Sequence, residues 1–103
     1  MFLVLWEFDV KPGCDKQFES IYGPSGEWAQ LFRCDPAYHR TLLLRDPFRD
    51  RSYVTCDFWE SEKAYDAFQK LNADAYYALD MISANLTVAE RKMGAFEQLG
   101  DSA

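Results

Sequence analysis

The sequence predicts an α+β fold of the ferredoxin-like split β-α-β type, in which a four-stranded antiparallel sheet carries helices on one face. Residues 2–10 alternate between apolar side chains on one side and a mixed set on the other, as a strand does. Later segments repeat apolar residues at helical spacing, and the elements follow one another in the order β-α-β-β-α-β. A chain of 103 residues is long enough for one core, so we expect one domain over residues 1–103.

The first strand and the first helical region are separated by a clear turn signal. Pro12-Gly13 ends the strand over residues 2–10. Apolar residues within 18–22 then recur at positions i, i+3 and i+4, and the same spacing recurs within 28–32. The Gly- and Pro-containing segment 23–26 lies between the two runs. We therefore expect two short helices in place of one long one.

The second half predicts a β-hairpin, a long helical region and a last strand. Residues 38–45 and 51–60 are rich in β-branched and aromatic side chains and flank a turn-forming connector. One apolar stripe then follows at helical spacing, and we expect it to pack on the sheet. Its members are Ala64, Phe68, Leu71, Ala75, Leu79, Ile82 and Leu86. We expect a break near Asn72–Asp74, a short helical turn after Leu86-Thr87 and a final strand over Lys92–Leu99.

Both faces of the predicted sheet contain apolar side chains. In the first strand Leu3 and Leu5 lie opposite the Phe2 set, and Leu43 alternates with its apolar neighbours in the hairpin. The helices can cover only one of these faces. The other would be an apolar patch larger than soluble monomers usually expose. We therefore expect a two-fold homodimer with the sheets face to face.

Charge and cysteine content exclude several classes of protein. The 11 Lys and Arg residues and 17 Asp and Glu residues give a net charge of −6, which disfavours nucleic acid as a partner. Cys14, Cys34 and Cys56 form neither a CxxC metal clip nor a paired framework, and we expect no metal site. Glu7 and Asp9 interrupt the apolar N-terminal run, so we expect no membrane span and a cytoplasmic protein.

Four stretches of the sequence resemble the antibiotic biosynthesis monooxygenase superfamily, the dimeric α+β barrels. These are Val10-Lys11-Pro12-Gly13, Tyr22-Gly23-Pro24-Ser25-Gly26-Glu27-Trp28 with Leu31-Phe32, Asp57-Phe58-Trp59-Glu60-Ser61, and the tail from Leu86-Thr87 through Glu90 and Gly94 to Phe96-Glu97. The resemblance implies a ferredoxin-like protomer, a barrel dimer and a pocket between sheet and helices. Some members oxygenate quinols or polycyclic phenols with O₂ and no cofactor, whereas others degrade haem.

The function implied by this resemblance is cofactor-independent oxygenation of a small aromatic substrate. The alternative is a non-catalytic dimeric domain that binds a small apolar ligand. Haem degradation is disfavoured, because that branch of the family has an Asn on the first strand and a histidine iron ligand on the helix after the third strand. Trp59 matches the Trp that the haem-degrading branch has at the end of the third strand. However, the first Asn of this chain is Asn72, and its one histidine, His39, lies on the second strand.

Two side chains are candidates for acid–base catalysis. Asp57 lies within an otherwise uncharged strand, where burial would raise its pKa and make it a usable base. The alternative is that Asp57 faces solvent or pairs with Arg40 or Arg45 across the hairpin. Histidine is the side-chain type whose unperturbed pKa lies near neutrality, so His39 is a candidate base or proton relay, although a lone histidine on a strand is more often a surface or interface residue.

Four aromatic side chains are candidates to bind a flat ligand: Trp6, Trp28, Tyr53 and Trp59. Their rings supply apolar area, and their indole and phenol groups can donate hydrogen bonds to ligand oxygens. Core packing is the alternative role for each of them. The sequence leaves open which strand faces look towards the helices, and all of these candidates depend on that choice.

Overall fold

The protein is described by a computed structural model that covers residues 1–100, so the last three residues of the predicted domain lie outside the described part. The strands are β1 (Phe2–Val10), β2 (Tyr38–Arg45), β3 (Ser52–Trp59) and β4 (Thr87–Glu97). The helices are α1 (Asp15–Tyr22), α2 (Glu27–Phe32), α3 (Glu62–Leu71) and α4 (Ala73–Ser83), followed by a 3₁₀ turn over Ala84–Leu86.

The four strands form one antiparallel sheet in the order β2-β3-β1-β4. The hairpin partner β3 and the last strand β4 therefore both pair with β1, which is the split β-α-β arrangement that the element order predicts. The helices pack on one face of this sheet around an aromatic core. The predicted α+β, ferredoxin-like fold is confirmed. Within residues 1–100, no helix has the length and apolar character needed to cross a membrane.

The structure fixes which strand faces look towards the helices. In β1 the even-numbered residues are directed to the core, and Val4, Phe8 and Val10 are almost fully buried. In β3 the odd-numbered residues share that face, because Trp59 pairs with Phe2 in register. The side chains of Asp57 and Thr55 on β3 therefore point towards the helices.

A bulge in β2 changes the parity of that strand. Tyr38 pairs with Trp59 and Arg40 pairs with Phe58, so His39 is an extra residue without a partner on β3. Because of this extra residue, Tyr38 and Thr41 lie on the same face although they are three positions apart. Their hydroxyl groups are hydrogen-bonded at 2.8 Å on the helix side of the sheet.

The predicted break in the second helical region is confirmed at Asn72, and the predicted apolar stripe is correct in part. Phe68 and Leu86 are buried in the core and Leu79 packs against it, but two other members are exposed. Leu71 is 84% exposed and Ile82 is 63% exposed. The break interrupts the helical phase, so that α4 directs Tyr76 and Ser83 towards the core instead. The helix therefore contributes polar hydroxyl groups to the interior where the sequence pattern predicts aliphatic side chains.

The last strand begins five residues earlier than predicted. Thr87 already pairs with Val10, so β4 starts there, and the short helical turn precedes Thr87 and does not follow it. The pairing slips between Leu5 and Trp6, where Met93 is the extra residue on β4. Pairing along the whole length of β1 determines this strand, whereas the sequence of its first half resembles a polar connector.

Candidate active site

A cavity lies between the helix-facing side of the sheet and the four helices. The cavity volume is about 60 Å³, and the cavity is open to solvent on one side. The lining is mainly aromatic and consists of Trp6, Phe8, Tyr22, Trp28, Phe32, Thr41, Thr55, Asp57, Tyr65, Tyr76, Asp80 and Glu90. Every strand and every helix contributes at least one of these residues.

Asp57 is the buried charged group of this cavity. It is 8% exposed, and its Oδ1 accepts a hydrogen bond of 2.6 Å from the Thr41 hydroxyl. Thr41 is hydrogen-bonded in turn to the Tyr38 hydroxyl at 2.8 Å. Both neighbours come from β2, where the bulge brings them to the same face. The second oxygen, Oδ2, has no hydrogen-bond partner among residues 1–100, which leaves it available to a ligand.

Burial raises the pKa of Asp57 to about 6, and the hydrogen bond from Thr41 opposes only part of this effect. Within residues 1–100, no cation compensates the charge of the Asp57 carboxylate. Arg40, one of its expected partners, stacks on the Phe58 ring at 4.4 Å on the opposite face of the sheet. Arg45, the other, pairs in register with Tyr53 at the far end of the hairpin. Asp57 therefore ionises close to neutral pH, as a general base does.

Trp28 and Tyr76 form the helix side of the cavity. Their rings meet edge to face with centroids 4.8 Å apart. The Trp28 indole N–H donates to the Ser83 hydroxyl at 3.1 Å, and Ser83 donates to the Leu79 carbonyl at 2.6 Å. This chain of bonds fixes α2 against α4. It holds the indole ring in one orientation over the sheet.

The tyrosine hydroxyls of the cavity are held in their protonated form. Burial raises the pKa of Tyr65, as do the neighbouring Tyr76 and the charge of Asp57. Burial also raises the pKa of Tyr76, and the charges of Asp57 and Asp80 raise it further. Gln69 donates to the Tyr65 hydroxyl oxygen at 3.0 Å, and a hydrogen bond with the Tyr76 side chain helps to keep the Tyr65 hydroxyl protonated. Tyr65 can donate its hydroxyl proton to an oxygen of a ligand.

The candidate residues from the sequence fall into two groups. Asp57, Trp6 and Trp28 line the cavity. Trp59 does not, since it is fully buried behind the lining with its ring 5.5 Å from Phe32, and its indole N–H is without a partner within residues 1–100. It supports the wall instead of forming it.

Two further candidates lie away from the cavity. The Tyr53 hydroxyl donates towards Glu19 at 2.5 Å and Asp15 at 3.1 Å beneath α1. His39 is exposed at the β2 bulge, with Nε2 3.5 Å from Glu60 Oε1. Neither residue lines the site. The bulge explains the position of His39, because the extra residue in the strand does not share the inward face.

Sequence reasoning missed several polar residues of the cavity: Thr41, Tyr65, Tyr76, Asp80 and Glu90. A signal for Thr41 exists in the hairpin, where it pairs with Asp57 across the two strands, but that register depends on the bulge. Tyr76 and Asp80 lie one helical turn apart, which is the spacing of a shared face. The break at Asn72 conceals that face from a search for one continuous stripe.

The arrangement suits proton abstraction from a flat, weakly acidic ligand. An aromatic cleft can hold a planar ring, a carboxylate with a raised pKa can accept a proton, and tyrosine hydroxyls can stabilise the oxyanion that forms. A search of residues 1–100 for groups of His, Cys, Asp and Glu arranged to hold a metal ion returns none.

Comparisons with known proteins agree with the fold. The sequence model of the family described as antibiotic biosynthesis monooxygenase matches residues 1–74. The crystal structure of SnoaB, a cofactor-independent oxygenase from Streptomyces nogalater, has a TM-score of 0.77 at 23% identity and covers 97% of this chain and 94% of its own. A protein assigned by name to the same family in Nitrosomonas europaea has a TM-score of 0.70 at 14% identity, covering 97% and 100%. A search of curated proteins returns no match.

Substitution of Asp57 by Asn tests the burial of the charge through the pH dependence of stability. The folded-state pKa of Asp57, about 6, lies above the ordinary value of 3.8, so ionisation destabilises the fold as the pH rises through this range. Asp57→Asn removes this cost and retains an acceptor for Thr41. We expect its free energy of unfolding, relative to the parent protein, to be higher at pH 8 than at pH 4 by about 1–3 kcal/mol.

Urea denaturation at both pH values measures this difference. Asp50→Asn is the matched control, because Asp50 is exposed in the hairpin connector and lies outside the cavity. An Asp57→Asn protein whose relative stability is the same at pH 4 and pH 8 would contradict the raised pKa.

Proposed function

The chain belongs to the antibiotic biosynthesis monooxygenase family, and from that premise we propose that it is a cofactor-independent monooxygenase that oxidises a small aromatic quinol or polycyclic phenol with O₂. The observation that carries the proposal is the Asp57 carboxylate, buried in an aromatic cleft with one oxygen free. The likeness to SnoaB, described as a cofactor-independent oxygenase, is support at the level of the fold.

Asp57 acts as the general base in this proposal. Thr41 donates to Oδ1 and holds the carboxylate in place, and the free Oδ2 accepts the phenolic proton of the substrate. The pKa near 6 means that the carboxylate is ionised at neutral pH yet basic enough to share a proton with a phenol. Tyr65 donates to the substrate oxygen as negative charge develops on it.

The substrate itself supplies the electrons. For a polycyclic phenol with a hydrogen on the ring carbon opposite the oxygen, loss of the phenolic proton moves negative charge to that carbon, which adds O₂ to form a C–O bond. The peroxide takes up the proton that Asp57 received. The carbon then loses its remaining hydrogen as a proton, the O–O bond breaks, and water leaves. In the overall reaction, the CH₂ group of the substrate's keto tautomer is oxidised to C=O. This oxidation releases four electrons, which reduce O₂, so that one oxygen atom becomes the ketone oxygen and the other becomes water.

We also propose that a second copy of the chain covers the sheet face that the helices leave open. That face contains Leu3, Leu5, Leu42, Leu44, Val54, Cys56, Phe58 and Phe96. Leu44 is 51% exposed and Phe96 is 53% exposed, and both belong to this one apolar surface. A two-fold arrangement matches the surface to itself and removes it from water.

Oxygen uptake with a panel of hydroxyanthrones and quinols tests the proposed reaction. We expect at least one substrate to be oxidised faster than in buffer, with kcat/KM rising with pH through about 6 as Asp57 ionises. Asp57→Asn lowers the rate by about a hundredfold or more, because the amide cannot accept the proton. His39→Ala is the matched control and retains the parent rate, because His39 is outside the cavity.

Two outcomes of that experiment would overturn the proposal. If no substrate of the panel is consumed faster than in buffer while the same compounds bind, the chain is a ligand-binding domain without this activity. If Asp57→Asn retains the parent rate, Asp57 is not the base.

Substitution of Thr41 by Val tests the positioning of the base. The Thr41 hydrogen bond lowers the pKa of Asp57, so its removal shifts the rise of the rate profile upward by about one pH unit. Thr41→Ser keeps the hydroxyl and restores the parent profile. A Thr41→Val profile that rises at the same pH as the parent would show that this hydrogen bond does not set the pKa of the base.

Light scattering tests the second copy. One chain has a mass of 12.0 kDa, so a dimer scatters as twice 12.0, or 24.0 kDa. Leu44→Glu places a charge on the apolar face and lowers the measured mass towards that of one chain, whereas Leu71→Glu, on the exposed helix surface, leaves the dimer intact. A parent protein that scatters as 12.0 kDa would contradict the dimer.

A further inference from the structure

The charged groups that line the cavity are all acidic. Asp57, Asp80 and Glu90 contribute carboxylates, and within residues 1–100 no Lys, Arg or His belongs to the lining. Asp57 is the most buried of the three at 8% exposed, and its Oδ2 has no hydrogen-bond partner within residues 1–100. An aromatic pocket with three carboxylates and no cation has a strongly negative interior potential.

Asp80 and Glu90 approach the cavity from opposite layers. Glu90 pairs with Phe8 on the helix-facing side of β4, and Asp80 lies one turn after Tyr76 on α4. Partial burial raises the pKa of Glu90, and the nearby charge of Asp80 raises it further. Asp80 is half-buried and Glu90 is exposed, so this pair lies towards the open side.

Within residues 1–100, no basic side chain forms an ion pair with Asp80 or Glu90. Lys92 pairs with Trp6 on the neighbouring position of β4, but it is exposed and outside the lining. Arg91 points to the other face of the sheet, where it donates to Glu7 and Asp9 at 3.0 Å. A ligand that enters therefore meets two carboxylates before it reaches Asp57.

We propose that Asp80 and Glu90 select the charge of the substrate: the site accepts an uncharged phenol or quinol and rejects an aromatic compound that bears a carboxylate or phosphate. This inference rests on the proposed function and specifies its substrate class. Proton transfer from a neutral phenol to Asp57 moves charge within the cavity without adding any. An anionic ligand adds a fourth negative charge, which is costly where water is partly excluded.

A pair of ligands with the same rings tests the selection without turnover. At pH 8 the probe 2-naphthol is uncharged, and 2-naphthoate is an anion of similar size. Quenching of tryptophan fluorescence measures binding, since Trp6 and Trp28 line the cavity. We expect the parent protein to bind 2-naphthol about tenfold or more tightly than 2-naphthoate at low ionic strength.

The double variant Asp80→Asn/Glu90→Gln identifies the residues responsible. We expect it to bind 2-naphthoate about tenfold more tightly than the parent does, with the 2-naphthol affinity changed by less than about threefold. The control Asp50→Asn/Glu97→Gln changes the net charge by the same amount at exposed positions outside the lining. Its preference for 2-naphthol stays that of the parent, because screening weakens distant surface charges.

Failure of this inference is distinct from failure of the proposed reaction. Equal binding of the two probes to the parent overturns the selection, and so does a gain in 2-naphthoate affinity that the control variant matches. Either result leaves oxygen uptake by neutral substrates unaffected. Selective binding of 2-naphthol without any oxygen uptake supports the selection and overturns the reaction.

Discussion

The candidate site depends on the burial of one carboxylate, that of Asp57, because burial sets the pKa of this group. Asp57 is buried among the aromatic side chains that line the cavity. Within residues 1–100 it has a single hydrogen-bond donor and no cation beside it, so the charge of its ionised form is poorly compensated. A structural carboxylate at such a depth is usually paired with Arg or Lys. Burial of this unpaired charge costs free energy in the folded state, and this cost raises the pKa of the carboxyl group towards neutral pH.

The backbone arranges this site through two local irregularities. The bulge at His39 brings Tyr38 and Thr41 to one face of β2, where they hold Asp57. The helix break at Asn72 turns α4 so that hydroxyl and carboxyl groups, not aliphatic chains, close the cavity. Regular elements would have placed different side chains in the interior in both cases.

Regular patterns were accessible from the sequence, whereas these irregularities were not. The alternation in β1 and the order of the elements predict the fold correctly, and the uncharged surroundings of Asp57 single it out as a candidate base. Thr41 was not predicted as its partner, because one extra residue in a strand reverses the parity of every later position. Tyr53 and Trp59 share a face with Asp57 and yet lie outside the cavity, because a shared face does not specify where along the strand a residue meets the cavity.

The most direct test of this account is the titration of the Asp57 carboxyl group itself. The ¹³C chemical shift of that carboxyl carbon, followed by NMR from pH 3 to pH 9 and assigned by its loss in Asp57→Asn, reports the ionisation without any substrate. The account predicts a midpoint of about 6. A midpoint near the unperturbed value of 3.8 would mean that the carboxylate is solvated or paired in solution, and the site would lose its base.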